Sequence, residues 1–403
     1  MARLDADVRV HYILRQPAPC RRVRVTIALT LAGALVNVSA CGSTTSPALG
    51  NTSAAVIVAT DTEDVAVVDP RLMRVTGRIG PLSGMKSRGA VSPDHAMLYL
   101  LSFDDPSTEL VAIDTRALRV QWRVPLQMLE QHALHDTLPV SIGAAMAVTP
   151  DGMRLVAQAA DAQGEGVAVI DLRSQSVVAF VPLGTVMDVA AEVPSTAMPH
   201  GAILVTAVRQ TTPAVYSGLF FVLDASTLAV RDSVTITAAS SDPTAGMQQV
   251  LGAPDGQHAY VVGLQQYRYD LLDRRLTDSV ATPSNGRLAI TADGSALYRS
   301  DAGDFDSPGT GQIFVYGADL TPRASINVTQ IAPSPSAGGA PVITGNVIPS
   351  ADGKLLYVAS GTPRAGGFGE FEPARLLVID PQADVLVESV GVAGSSPLVM
   401  FVR

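Results

Sequence analysis

The feature that most constrains this chain is a phrase that returns along it at intervals of about 50 residues. The phrase is a strand, a Pro-Asp-Gly turn, a second strand, a variable loop and a third strand that ends in Asp. Clear copies begin at Thr149-Pro150-Asp151-Gly152 and Ser350-Ala351-Asp352-Gly353, and end at Val167–Asp171 and Leu377–Asp380. Each copy of such a repeat is one supersecondary unit that buries its apolar faces against its neighbours.

The two halves of the phrase occur in different numbers. Six turns lie between apolar strands, at Pro93-Asp94-His95, Pro150-Asp151-Gly152, Pro199-His200-Gly201, Pro254-Asp255-Gly256, Ala292-Asp293-Gly294 and Ala351-Asp352-Gly353. Seven strands end in an acid or its substitute, at Val65–Asp69, Leu110–Asp114, Val167–Asp171, Leu219–Asp224, Tyr267–Asp270, Ile313–Tyr316 and Leu376–Asp380. We interpret the aspartates as turn formers, because Asp bonds its own backbone and Gly tolerates positive φ.

These counts predict the architecture. The repeating unit is four antiparallel strands, A to D from the inside outwards, and the first unit begins at its strand B, Ala54–Ala59. The final segment, Ser396–Arg403, has the pattern of the missing strand A. We therefore predict an all-β, seven-bladed β-propeller over residues 54–403, sealed by the C-terminal strand so that no sheet edge stays open. The alternative is an open or six-bladed ring, since the repeat around His200 is degenerate.

The wording of the repeat resembles the YVTN family of β-propeller proteins. Leu355–Ser360 and Val169-Ile170-Asp171 carry this likeness, although Tyr is lost from Leu155-Val156-Ala157 and Leu204-Val205-Thr206. The resemblance implies a surface or periplasmic propeller, of the kind found in bacterial lipoproteins and in quinoprotein- and lactonase-like enzymes. It implies no defined activity, because one fold hosts many functions.

The first 40 residues have the pattern of an export signal. Arg21, Arg22 and Arg24 precede an apolar run, residues 25–36, and small residues lead to Cys41. A basic region, a short apolar region and small residues before a cut are typical of secretory signals. We predict a signal over 1–40, lipidation of Cys41, and a flexible Ser/Thr/Gly tether over 41–53; the alternative is a plain signal with an incidental Cys. The protein would then be an exported lipoprotein, periplasmic or at the cell surface.

Charge and cysteine content exclude some classes of protein. Residues 1–40 hold six of the 28 basic and two of the 37 acidic residues, which leaves 22 basic and 35 acidic residues and a net charge of −13. Without a basic stripe, nucleic-acid binding is not expected. The only other cysteine, Cys20, lies in the predicted signal, so the predicted propeller has no disulfide. We expect a monomer.

Loop lengths predict which face of the propeller binds. The A–B and C–D connections share one face, the turn face, and we predict that they are uniformly tight. The B–C and D–A connections share the other, the loop face, and we predict that they are long and irregular. They are Ser102–Glu109, Gln127–Ser141, Arg209–Gly218, Arg299–Gly311, Gln330–Pro341 and Ser360–Arg375. Binding residues concentrate on long loops of a rigid scaffold, so we infer that the loop face binds; the alternative is that these loops are tolerated insertions.

The loop face supplies the candidate ligand residues. They are Arg209, Tyr216, Asp301, Asp304, Asp306, Arg364, Glu370 and Phe371. The acidic group at 301–306 is better explained as a solvated turn than as a cation site, because it lacks the spacing of a calcium loop. His132 and His135, with Asp136 beside them, have no third His or Cys nearby in the sequence, so we predict no metal site. The sequence does not indicate which cofactor, if any, the protein binds.

Nothing in the sequence assembles a Ser-His-Asp set or a cysteine nucleophile. We therefore expect a non-enzymatic binding or scaffold propeller of the cell envelope, with a small molecule or a protein bound at the mouth of the channel on the loop face. The alternative is a propeller enzyme, either a lactonase or a quinone-dependent dehydrogenase. The lone Trp122 is expected to pack between blades.

Overall fold

The structure is a computed structural model that describes residues 55–60, 64–82, 85–86, 89–104, 107–131, 141–161, 164–241, 246–263, 265–281, 286–301, 311–332, 342–361, 374–394 and 398–402. The predicted signal, Cys41 and the tether lie outside these residues. Strands dominate the described part. Neither of its two short helices has the length and apolar character needed to cross a membrane.

The strands form seven antiparallel blades in a ring. Blade 1 contains β1 (Val56–Ala59), β2 (Val65–Asp69) and β3 (Arg74–Ile79). Blade 2 contains β4 (Met85–Lys86), β5 (Ala90–Val91), β6 (Met97–Asp104), β7 (Ser107–Asp114) and β8 (Arg119–Pro125), and is followed by α1 (Leu126–Gln131). Blade 3 contains β9 (Ser141–Val148), β10 (Arg154–Asp161), β11 (Gly164–Asp171) and β12 (Ser176–Pro182). Blade 4 contains β13 (Thr185–Glu192), β14 (Ala202–Thr212), β15 (Val215–Asp224) and β16 (Val230–Ser240).

Blade 5 contains β17 (Gln249–Gly252), β18 (His258–Val262), β19 (Gln265–Asp270) and β20 (Arg275–Ala281). Blade 6 contains β21 (Leu288–Ile290), β22 (Ala296–Ser300), β23 (Gln312–Gly317) and β24 (Pro322–Asn327), and is followed by α2 (Val328–Ile331). Blade 7 contains β25 (Val342–Pro349), β26 (Leu356–Gly361), β27 (Arg375–Asp380) and β28 (Val385–Gly391). The last strand is β29 (Leu398–Val402).

The C-terminal strand closes the ring as predicted. β29 pairs antiparallel with β1, with Val402 opposite Val56 and Leu398 opposite Ala59, and the first sheet has the order β29-β1-β2-β3. In blade 2 the inner position is shared by β4 and β5, which both pair with β6. The seven-bladed prediction is confirmed.

Packing between blades explains the sequence pattern of the strands. Among the described residues, buried apolar side chains form seven clusters, one in each interface between neighbouring blades. Strands inside a blade are covered on both faces, so β2 and β26 are mostly apolar and are buried along their whole length. The outer strand β20 alternates exposed and half-buried residues because only one of its faces is covered. Trp122 lies in the cluster between blades 2 and 3, with its ring centroid 5.9 Å from that of Tyr99, as predicted.

The repeat aspartates form turns, as predicted. In the A–B turns, one carboxylate oxygen accepts the backbone N–H two residues on, as Asp94 does from Ala96 and Asp352 from Lys354. In the C–D turns, the strand-ending carboxylate accepts two successive N–H groups, as Asp380 does from Gln382 and Ala383. These side chains satisfy the turn backbone, and nothing in their geometry points to catalysis.

Two connections predicted as irregular loops are regular hairpins. β14 continues to Thr212 and β15 starts at Val215, so only two residues separate them, and Ala214 takes a positive φ of 60°. β6 and β7 extend in the same way to Asp104 and from Ser107. In both hairpins the two strands continue to pair beyond the buried core of the propeller. The sequence pattern of buried residues ends with the core and therefore does not predict this extension.

The prediction of uniformly tight turns is wrong in blade 4. β13 ends at Glu192 and β14 begins at Ala202, so nine residues, 193–201, connect strands A and B there. The segment folds on itself, with Ser195 N–H donating to Met198 O at 2.9 Å and Gly201 N–H to the same oxygen at 2.8 Å. Pro199-His200-Gly201 mimics the Pro-Asp-Gly turn, which hides that this connection has nine residues against the five, 149–153, of blade 3.

Candidate functional site

The predicted loop-face residues are placed in three ways. Arg209 is exposed on the β14–β15 hairpin, whereas Tyr216 on the same hairpin is half-buried against the core between blades 4 and 5. Asp301, at the end of β22, is 1% exposed, and its N–H donates to Gln312 O at 2.9 Å. Outside the described residues lie Cys41, Asp304, Asp306, Arg364, Glu370 and Phe371, together with His132, His135 and Asp136.

Two polar side chains, Gln249 and Gln266, lie in one cross-strand row of blade 5 near the loop face. Gln249, Val262 and Gln266 are successive partners across β17, β18 and β19. Cross-strand partners share one face of a sheet, and Val262 packs in the core between blades 5 and 6. Gln249 and Gln266 therefore face blade 6.

A matching row crosses blade 6. Leu288, Arg299 and Phe314 are successive partners across β21, β22 and β23. Leu288 lies in the same core as Val262, so Arg299 faces blade 5. The two rows form what we call the blade 5–6 cluster, defined by Gln249, Gln266 and Arg299.

Gln249 fixes the alignment of the two rows. Its side-chain amide donates to Leu288 O at 2.9 Å, and its carbonyl oxygen accepts from Leu288 N–H at 2.7 Å. A buried amide that makes both bonds to a neighbouring inner strand acts as a clamp between blades. Gln249 is thus explained by structure alone.

Gln266 is different from Gln249. It is 0% exposed, and among the described residues neither its amide nitrogen nor its carbonyl oxygen has a hydrogen-bond partner. Leaving a buried polar atom unsatisfied costs about 1–3 kcal/mol, so such a group in a native protein demands an explanation. A site that completes these bonds on binding is one such explanation.

Arg299 brings positive charge to the cluster. It is 0% exposed, and burial lowers the pKa of its guanidinium to about 10, while Tyr316 and Asp301 favour the charged form. The group therefore stays charged at neutral pH. Burial in turn raises the pKa of Tyr316, which stays a neutral hydroxyl. A charged donor and an amide on the facing sides of two blades suit a ligand that carries a carboxylate or another polar acceptor.

A second buried ionisable group lies between blades 4 and 5. Glu192 ends β13 and is 1% exposed, and no described residue forms a hydrogen bond with its Oε2. Burial raises the pKa of its carboxyl to about 9, so it is protonated at neutral pH. The blade 5 inner strand makes room for it at Gly252, where a Cβ would lie 2.1 Å from Oε2.

Gln266, Arg299 and Glu192 were not among the predicted site residues, although the repeat carries a signal for two of them. Arg299 takes the place of Val358 in the aligned strand B, and Gln266 takes the place of Leu376 in the aligned strand C. An alignment of the repeats with one another can detect such a signal, which is a polar residue at a position that is apolar in other copies of the repeat. Among the described residues, no three His, Cys, Asp or Glu side chains are grouped as metal ligands.

Comparisons with known proteins support the fold and go no further. No protein-family model matches the chain, and no curated protein matches it in sequence. A functionally unknown protein from Desulfotomaculum acetoxidans matches with TM-score 0.55 and 15% identity, over 86% of this chain and 96% of the other. The dihydro-heme d1 dehydrogenase NirN in complex with DHE matches with TM-score 0.52 and 14% identity, over 86% and 74%.

Kuenenia stuttgartiensis hydrazine synthase matches with TM-score 0.49 and 15% identity, over 82% of this chain and 90% of the other. At such identities the two matches with TM-scores of 0.55 and 0.52 show the fold alone. The YVTN resemblance stays a prediction.

Proposed function

We propose that this chain is a non-enzymatic binding propeller whose ligand sits at the loop face between blades 5 and 6. The single observation behind this is the Gln266 amide, fully buried with both polar atoms unsatisfied. Gln266 is the second residue of β19 and Arg299 the next-to-last residue of β22, so each lies near a B–C connection and a ligand would reach them from the loop face. A guanidinium and a primary amide together favour a small ligand with a carboxylate or carboxamide group.

The test uses Gln266→Leu, which keeps the volume of the side chain and removes its polar atoms. Thermal unfolding of both proteins is followed with a panel of dicarboxylates, amino acids and primary amides. We expect at least one compound to raise the Tm of the wild type and not that of the variant, because binding to the folded state stabilises it by mass action.

The control is Gln257→Leu, since Gln257 is exposed in the A–B turn of blade 5. Equal shifts in the wild type and the Gln266→Leu variant would refute the site. So would a panel without any shift. Turnover of lactones, or of alcohols with an added quinone acceptor, would instead establish the enzyme alternative.

We also propose that the protein works in the cell envelope, as a monomer held by lipid at Cys41. Support comes from the three arginines, the apolar run and the small residues before Cys41. Mass spectrometry of the membrane fraction is expected to find diacylated Cys41 at the new N-terminus. An unmodified soluble form would refute the anchor, and Cys41→Ser should release the protein from the membrane.

A further inference from the structure

The blade 4 A–B connection creates a cavity on the turn face, opposite the site proposed above. The cavity has a volume of about 230 Å³ and lies between blades 3 and 4. Its walls include Pro150, Pro194 and Pro199, with Asp151, His200 and Ser226 among the remaining lining residues. Small-molecule sites usually measure about 300–1,000 Å³, so this cavity suits a single anchoring side chain.

Most polar groups around the cavity are already engaged. Arg154 donates to Ala225 O at 2.8 Å and to Ser226 O at 3.2 Å. The N–H and hydroxyl of Ser226 donate to Asp224 at 3.0 and 2.6 Å. The prolines have no N–H to offer. The walls are therefore apolar in effect.

Two polar side chains of the lining remain, Asp151 and His200, and Asp151 is the anionic one. Its Oδ1 accepts from the Thr149 hydroxyl at 2.5 Å and from Met153 N–H at 3.0 Å. Within the part of the chain that the structure describes, its Oδ2 meets only Arg154, at 3.7 Å, and the side chain is 46% exposed. Burial pushes its pKa up, but the bonds from Thr149 and Met153 and the charge of Arg154 outweigh this, so the carboxyl is ionised at neutral pH.

The surface beside the cavity is apolar and exposed. Met153, which follows the Asp151 turn, is 62% exposed, and Val193, which precedes Pro194, is 48% exposed. Methionine is enriched at protein interfaces and adapts to varied partners. These exposed apolar side chains are close in sequence to the cavity residues and offer further contact area, which suits a partner with one dominant anchor residue.

We propose that this cavity is a docking site for a protein partner that inserts an arginine side chain. The apolar stem would lie along the proline walls, and the guanidinium would bind Oδ2 of Asp151. Arginine combines such a stem with a planar donor fork that matches a carboxylate. The chain's net charge of −9 would also attract a basic surface.

The test binds N-acetyl-arginine amide to the full-length protein labelled with ¹³C at its methionine methyl groups. We expect the Met153 methyl resonance to shift, and the affinity to fall about tenfold in Asp151→Asn, as the loss of one charge-assisted bond predicts. Asn keeps an Oδ1 acceptor for Thr149 and Met153, so the turn should survive.

The control variant is Asp94→Asn, which changes the equivalent turn of blade 2 and should leave binding unchanged. N-acetyl-leucine amide should shift Met153 much less than the arginine probe does. Equal binding of the two probes, an unchanged affinity in Asp151→Asn, or no shift of Met153 would each overturn the proposal.

Discussion

Replacing Glu192 by Gln should stabilise the protein at neutral pH and leave it unchanged in acid. The folded pKa of Glu192 is about 9, against its usual 4.5. Between these values the folded protein holds a proton that the unfolded chain releases, so the free energy of unfolding falls as pH rises. Each unit of pH removes about 1.4 kcal/mol, which amounts to about 3 kcal/mol by pH 7.

Gln has the shape of the protonated glutamate and does not titrate. The difference in unfolding free energy between Glu192→Gln and wild type should therefore be close to zero at pH 4. It should grow to about 3 kcal/mol in favour of the variant at pH 7. Urea unfolding followed by circular dichroism at several pH values measures this difference directly.

The control is Glu165→Gln, because Glu165 is an exposed glutamate at the start of β11. Its difference from wild type should not grow with pH in the same way. Parallel curves for Glu192→Gln and wild type would show that Glu192 ionises as an ordinary carboxylate, and the reasoning from burial would fail.

Three further changes have defined outcomes. Gly252→Ala should destabilise the protein by about 1–3 kcal/mol, because its Cβ would overlap the Glu192 carboxyl, whereas Gly391→Ala, with nothing within 4 Å, should be nearly neutral by calorimetry. Asp224→Asn should lower the free energy of unfolding above pH 4. Hydrogen bonds from Ser226, Arg231 and Thr227 hold the pKa of the Asp224 carboxyl well below 3.8, although burial opposes them. That loss should vanish as the pH falls through the folded pKa, and it should exceed the loss in Asp380→Asn in urea titrations. Removing residues 398–402 should expose the β1 edge and broaden or abolish cooperative unfolding, and an unchanged transition would contradict ring closure by β29.

The sequence predicted the fold well because turn chemistry and strand periodicity are local and repeat. Asp94 and Asp380 form turns through bonds to residues two or three positions away, which a pattern can reveal. The closing strand followed from a count of those turns. The prediction of a tight A–B turn is wrong in blade 4 because Pro199-His200-Gly201 has the sequence pattern of the short turn, although the connection that contains it is longer.

The candidate site was mostly out of reach of the sequence. Whether Gln249 clamps a neighbour and Gln266 lacks one depends on which blade faces which, and on alignment between strands from different repeats. The sequence does not predict the burial of Glu192 either. Its carboxyl occupies the space that a side chain at Gly252 would fill, and Gly252 is 60 positions away in the sequence. Aligning the repeats with one another finds polar substitutions such as Arg299 but not their contacts.

Closure by β29 also determines the order in which the protein can fold. Blade 1, which precedes the other described blades in the chain, needs its inner strand from Leu398–Val402, which is made after every other described strand. Until then β1 has an open edge, and loop-closure entropy across nearly the whole chain opposes its pairing. Blade 1 is therefore the first to begin and the last to be completed, so a chain cut short during synthesis is released with an unprotected strand that invites aggregation.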